Sequence, residues 1–181
     1  ELAEIISKGL KSLENRKLEF LKKLVNSAML SDVLDDIGLY NCVITGLKCN
    51  IGGTKVLGRA RTLKIRKLEK GEDFHGIYDA LKSYAEISDN DIIVENECPD
   101  YAYFGELNTM LSIRSGASAT IVGGVTRDRD NVMKMNYPVF SKGYNCKDVR
   151  KRATLANFNR TINVLGVTIS PSDLIFADND G

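Results

Sequence analysis

A chain of 181 residues, 43% of them apolar, is the size of one ordinary domain and can bury a sizeable core. Its 25 Lys and Arg almost cancel 24 Asp and Glu, leaving a formal charge of +1, so no large field is available to recruit nucleic acid or an anionic membrane. No apolar run approaches the roughly 20 residues of a membrane helix, and the first residues alternate Lys and Glu where a secretory signal would be apolar; the expected setting is soluble and cytoplasmic.

From Leu2 to Leu30 apolar residues recur at helical spacing (Leu2, Ile5, Ile6, Leu10, Leu13, then Leu18, Leu21, Leu24 and Val25), predicting two amphipathic helices over 1–28 with a break at Asn15-Arg16. Their charged face is ordinarily a solvated one, and it also suits docking on a neighbouring subunit. The main domain, 29–181, opens with "SDVLDDIG", a short helix with Ser31 as its N-cap and Gly38 as its stop. "GTKVLGRARTLKIRK" alternates apolar and polar positions and reads as a strand; "FHGIYDALKSYAEI" reads as a helix with His75 in a capping or surface role, and "DIIVEN" as a short buried strand. Leu107 to Ser115 then reads as a helix, "ATIVGGV" as a strand, "DRDNVMKM" as a helical turn and "YPVFSKG" as a strand. In the tail, "INVLGVTISPSDLIFAD" predicts two strands around a Ser170-Pro171-Ser172 turn. Strands alternating with helices and ending in an all-strand tail define a single α/β layered domain with N-terminal helices. Beginning at Glu1 and stopping just after a strand, the sequence reads as a trimmed chain or a piece of a longer one.

Cys42, Cys49, Cys98 and Cys146 form no C-x-x-C pair and are expected to be reduced thiols. With His75 the only histidine, a zinc site of the usual His/Cys kind is hard to assemble, and a metal here should be a hard cation held by carboxylates and water.

The chemistry concentrates in "FGELNTMLSIRSGASATIVGGVTRDRD", which carries one polar cluster at each end. Gly105 opens a helix after the loop that Pro99-Asp100 begins, and Arg127-Asp128 follows directly on a strand, so both clusters are expected at the sheet edge where strand C-termini and helix N-termini collect. The unpaired first-turn amides of Glu106, Leu107 and Asn108 suit a small carboxylate, and Gly105 lets a ligand approach the backbone. Gly123-Gly124 leaves space beside Arg127 and permits unusual backbone angles. Arg127 suits a carboxylate or carbonyl oxygen, Asp128 suits Mg²⁺ or Mn²⁺, and Glu106 the waters that complete the octahedron. Such a site would polarise a 2-oxo acid and stabilise its enolate. The same residues equally suit plainer roles, Arg127-Asp128 as a helix cap with a surface ion pair and Glu106 as a first-turn carboxylate favoured by the helix dipole.

From about Met29 onward, the ordered motifs "LSDVLDDIG", "GLKCNIGGTKVLGRARTL", "FGELNTMLSIRSGASATIVGGVTRD", "YPVFSKG" and "LGVTISPSDLIFADNDG" resemble the RraA-like family, which includes the 4-hydroxy-4-methyl-2-oxoglutarate aldolases and the regulators of ribonuclease E activity. The family's aldolases carry an acidic residue, twenty intervening residues and Arg-Asp, a signature that Glu106 and Arg127-Asp128 reproduce. The resemblance implies a layered β/β/α, swivelling-domain-like fold, usually a homotrimer or hexamer with sites between subunits. It implies that Asp128 ligates the divalent cation and Glu106 holds its water, that Arg127 binds near the substrate's reacting oxygen, and that amides around Gly105 to Asn108 receive the pyruvate carboxylate. The implied activity is aldol cleavage of a 4-hydroxy-2-oxo acid through a metal-stabilised enolate, with oxaloacetate decarboxylation alongside it; the alternative is a non-catalytic regulator that binds a protein such as a ribonuclease. The chain departs from the family at Ser172, where Pro-Gly-Asp is common, and at Gly123, where "DGAVRD" is more usual than "GGVTRD".

Overall fold

The computed structural model describes residues 2–98 and 100–181, the side chains of residues 2–5 and 7–9 excepted. Pro99 and the side chains of Leu2 and Ile5 thus lie outside the described residues. Helix α1 runs unbroken over Leu2–Leu24, through the break expected at Asn15-Arg16. Residues 10–24, on either side of that point, contain neither Gly nor Pro, and their Glu, Arg and Lys side chains all tolerate a helix interior. The break comes at Val25-Asn26, because the Asn26 side chain accepts a hydrogen bond from the Met29 amide at 2.8 Å and starts α2 (Ser27–Asp36). Ser31, expected as the cap, is inside that helix, whereas Gly38 sits at φ 82° just past its end, as expected of a stop.

The strands are β1 (Lys48–Cys49), β2 (Val56–Lys67), β3 (Ile92–Glu95), β4 (Ala119–Val122), β5 (Val125–Thr126), β6 (Val139–Ser141), β7 (Gly143–Tyr144), β8 (Ala153–Phe158), β9 (Ile162–Val164), β10 (Val167–Ile169) and β11 (Leu174–Ala177). A seven-stranded mixed sheet runs β1-β6-β4-β3-β2-β11, with β8 also paired to β2. Its centre is parallel: β2 beside β3, β3 beside β4, β4 beside β6. Every residue of β3 and β4 is buried, as strands covered on both faces require.

On one face Val56, Ala60, Ile92, Val94, Ala119 and Ile121 pack against the antiparallel β9–β10 hairpin. On the other, Ile93, Val122 and Val139 pack beneath a 3-10 helix (Phe74–Glu86), α3 (Glu106–Ser115) and α4 (Arg129–Lys134). The result is a mixed α/β domain of hairpin, sheet and helices, with α1 and α2 attached. The tail holds three strands where two were expected, since Leu165 (φ 51°) and Gly166 (φ 91°) turn the chain back between β9 and β10. Asn163 accepts from the Gly166 amide and fixes that turn. No helix among the described residues is long and apolar enough to cross a membrane.

Helix α3 is built inside out. It buries Asn108, Thr109 and Ser112 and leaves Leu107, Met110 and Ile113 exposed. The buried hydroxyls are satisfied within the helix, Thr109 donating to the Gly105 carbonyl and Ser112 to that of Asn108, so burying them carries little penalty. Its end is set by Gly116 in the left-handed region, φ 89°, whose amide bonds back to Ser112 and Ile113.

Candidate functional site

The segment after β3 crosses to α3, and the chain leaving β4 passes through β5 to α4, so the start of α3 meets the end of β5 at one edge of the sheet. Two hydrogen bonds lock the meeting: the Phe104 carbonyl accepts from the Arg127 amide at 3.2 Å and from the Thr126 hydroxyl at 2.8 Å. Phe104 itself is 1% exposed, an apolar anchor beneath the polar site.

Across this junction the two clusters come together. Asp128, at φ 57°, turns its Oδ2 onto the Glu106 amide at 3.1 Å and so caps α3 from outside. A Cβ at position 105 would lie 2.5 Å from that oxygen and 2.9 Å from Arg127 Cγ, so glycine is required for the Arg127-Asp128 pair to close over the helix start. The close approach that Gly105 permits is thus made by the protein itself. Glu106 is held on its far side by Asn131 of α4, whose Nδ2 donates to Oε2 at 2.8 Å.

Arg127 is gripped by Asp148, which accepts from Nη1 at 2.5 Å, while Nε stands 3.5 Å from Asp128 Oδ2. That second approach is too long for a strong hydrogen bond, and Nε is buried with no hydrogen-bond partner. The guanidinium is therefore oriented, and the donor it keeps for a ligand is Nη2, which is not buried and makes no hydrogen bond with the described residues. Asp128 is exposed and its Oδ1 makes no hydrogen bond with the described residues; Glu106 Oε1 is likewise uncommitted. Two hard carboxylates with free oxygens beside an arginine with a free donor suit a divalent cation and a carbonyl or carboxylate ligand. Among the described residues no group of three or more His, Cys, Asp and Glu side chains stands ready to hold a metal, so a cation here would keep much of its coordination for water or ligand.

Three expectations change in detail. The Glu106 amide is taken by Asp128, leaving the amides of Leu107 and Asn108 for an incoming carboxylate. The Asn108 side chain is buried, donating to the Tyr103 carbonyl at 2.5 Å, so it is not offered to a ligand. Gly123 and Gly124 adopt no positive φ; a Cβ would lie 3.1 Å from the backbone of Asn96 at the first and 2.7 Å from the Cys98 carbonyl at the second, so both serve close packing of β4 and β5 on the segment leaving β3.

Sequence reasoning missed Asp148 and Asn131, the partners of Arg127 and Glu106, because hydrogen bonds made through folding leave no local pattern. It also missed Glu95, the last residue of β3, which is 1% exposed and has neither carboxyl oxygen bonded. A carboxylate ending the apolar run "DIIVEN" was the available signal. His75 is exposed, the surface role expected; the helix cap is Asp73, whose side chain accepts from the His75 amide at 3.0 Å, and all four cysteines are free.

Residues 27–181 match the model of the RraA-like family, described as Aldolase/RraA. "Protein DlpA" of Legionella pneumophila is 32% identical over 165 residues, covering 89% of this chain, which spans only about a quarter (26%) of that protein's length. A putative 4-hydroxy-4-methyl-2-oxoglutarate aldolase of Halalkalibacterium halodurans is 27% identical, over 93% of this chain and 77% of its own. Among solved structures, Streptomyces coelicolor RraAS2, an unusual member of the RNase ES inhibitor RraA protein family, superposes with a TM-score of 0.78 at 23% identity, covering 91% of this chain and 81% of that one.

Proposed function

The chain therefore belongs to the RraA-like family, and on that premise we propose that it is a cytoplasmic, divalent-metal-dependent lyase that cleaves a pyruvate-derived 2-oxo acid, a 4-hydroxy-2-oxo acid aldolase with oxaloacetate decarboxylase side activity. The observation that carries this reading is the convergence of Glu106, Arg127 and Asp128 on the start of α3, with a free oxygen on each carboxylate and a free donor on the guanidinium.

In this reading Asp128 holds Mg²⁺ or Mn²⁺ directly and Glu106 holds it through water. The cation, when bound, supplies a Lewis acid to the 2-oxo group. The amides of Leu107 and Asn108, at the positive end of α3, receive the substrate carboxylate. Breaking the carbon–carbon bond leaves an electron pair that the 2-oxo group must accept, and Arg127 places its unused donor where charge collects on that oxygen. Asp148 keeps the guanidinium aimed while the oxygen changes charge. The exposed stripe Leu107, Met110 and Ile113 lies on the same helix as Glu106, which supports a homotrimer or hexamer with sites between subunits.

Purified protein with Mg²⁺ or Mn²⁺ is expected to release pyruvate from oxaloacetate or a 4-hydroxy-2-oxo acid, followed by a coupled pyruvate assay, and EDTA is expected to stop it. Asp128→Ala should lower turnover by at least about 10²-fold with an unchanged thermal melt. The competing reading is a regulator that binds a protein partner such as a ribonuclease; the matched family's description, Aldolase/RraA, names that branch beside the aldolases. A wild-type protein that releases no pyruvate from any such acid in the presence of metal would decide for the regulator.

A further inference from the structure

Beneath the start of α3 lies a buried polar group that the proposed chemistry does not use. Glu95 sits at the end of β3, flanked in register by Leu63 of β2 and Val122 of β4. Its side chain shares a face with Ile93, toward the helices. Tyr84 of the 3-10 helix and Tyr103 from the segment before α3 adjoin it, and Asn108 of α3 is tied to Tyr103 through its Nδ2; all three are buried. Five atoms here have no hydrogen-bond partner: both Glu95 carboxyl oxygens, the hydroxyls of Tyr84 and Tyr103, and Asn108 Oδ1. They make up most of the seven buried side-chain polar atoms left unpaired among the described residues. The two hydroxyls adjoin one another and feel the Glu95 carboxyl.

An ionised carboxylate at 1% exposure with no partner is among the costliest arrangements a fold can contain, whereas a neutral carboxyl there gains an O–H donor to set against the unpaired acceptors. No Lys, Arg or His acts on the group, and burial alone pushes the Glu95 carboxyl up to about 8. The other titratable groups facing it stay neutral at that pH: burial raises Cys98 to about 11 and moves Tyr84 and Tyr103 well above their ordinary range.

This polar seat is joined to the site by a short path. Tyr103 receives Asn108 Nδ2 on its carbonyl, and its neighbour Phe104 receives the Thr126 hydroxyl and the Arg127 amide on its own. A displacement of Tyr103 is thereby felt at both Gly105 and Arg127. We propose that Glu95 works as a neutral carboxylic acid and is a positioning residue: with Tyr84, Tyr103 and Asn108 it forms a proton-dependent seat that holds the 100–108 segment, and with it the start of α3, against Arg127-Asp128. When Glu95 loses its proton, the unpartnered charge forces water into the seat and the segment loosens.

The role presupposes the site proposed above, but its test needs no turnover. The folded carboxyl binds its proton more tightly than the unfolded one, so stability is full below the unfolded value of 4.5, falls as pH rises toward about 8, and is level beyond. Urea unfolding of wild type and Glu95→Gln from pH 5 to 9 should show the wild-type equilibrium losing up to about tenfold per pH unit relative to the variant until pH 8. Hydrogen exchange should show 100–108 losing protection near pH 8 in the wild type but not in Glu95→Gln, with β3 and β4 unchanged in both. Mn²⁺ binding by spin resonance should weaken over the same range in the wild type only. Should Glu95→Gln fail to fold, infrared titration of the wild type still decides, because a carboxylic-acid band that persists at pH 7 and disappears near pH 8 supports the proposal. Parallel pH curves for the two proteins, or a carboxyl already ionised at pH 6, would overturn it.

Discussion

Arg127 owes its direction to two aspartates of different standing. Asp148 supplies the hydrogen bond to Nη1, and Asp128 adds only a Coulombic contact to Nε at 3.5 Å. Both ion pairs are about one-third exposed, so solvent screens them and their value lies in orientation more than in stability. Replacing Asp148 by Ala should therefore leave the melting temperature nearly unchanged while lowering kcat/KM roughly tenfold, mostly through kcat, as an arginine that must find its direction in each turnover would. Steady-state kinetics beside a thermal melt tests both halves. A comparable economy governs Ser172, at φ 73° in the turn where the family commonly has glycine. The turn does use the left-handed region, and its serine accepts the strain.

At the scale of elements, the start of α3 is set by a residue outside the helix. Gly105 offers no side-chain cap, and Asp128, twenty-two residues beyond Glu106, fills that place. Gly105→Ala would put a methyl group 2.5 Å from the capping oxygen, so Asp128 must move. The expected result is a loss of about 10²-fold in turnover, the scale of a misplaced reacting group, with destabilisation of about 1–3 kcal/mol. Pyruvate release and urea unfolding measure the two effects. Both polar clusters were legible because glycine before a helix and Arg-Asp after a strand are local signals with a known place in α/β folds. The cap between them was not, since it joins residues only when β3, β4 and β5 have aligned. The break in α1 was misplaced for a related reason: Asn15 and Asn26 look alike in sequence, and only Asn26 finds an amide for its side chain. β8 escaped notice because "ATLANF" has no strong strand pattern and is held by pairing with β2.

For the whole molecule, the sheet order was out of reach of the sequence, although the class of fold was plain from the alternation of periods. The inverted helix α3 bears on the assembly. A helix that hides Asn108, Thr109 and Ser112 and displays Leu107, Met110 and Ile113 has its apolar side turned outward, where a neighbouring copy would cover it. Met110→Glu should convert the proposed oligomer to monomers, read by light scattering on a sizing column, and should lower turnover with it where a neighbouring subunit completes the site. The long strand β2 has its own consequence for how the chain is made. Its far half pairs with β8, Leu63 facing Phe158, and its near half with β11, Val56 facing Ala177. On the ribosome that near half emerges with bare amides and carbonyls and must wait for residues 174–177, an interval of several seconds or more at synthesis rates of about 5–20 residues per second. Arg59 and Arg61, which later find Glu14 and Asp91, carry charge on the unfinished edge throughout that interval and discourage a neighbouring nascent chain from pairing with it.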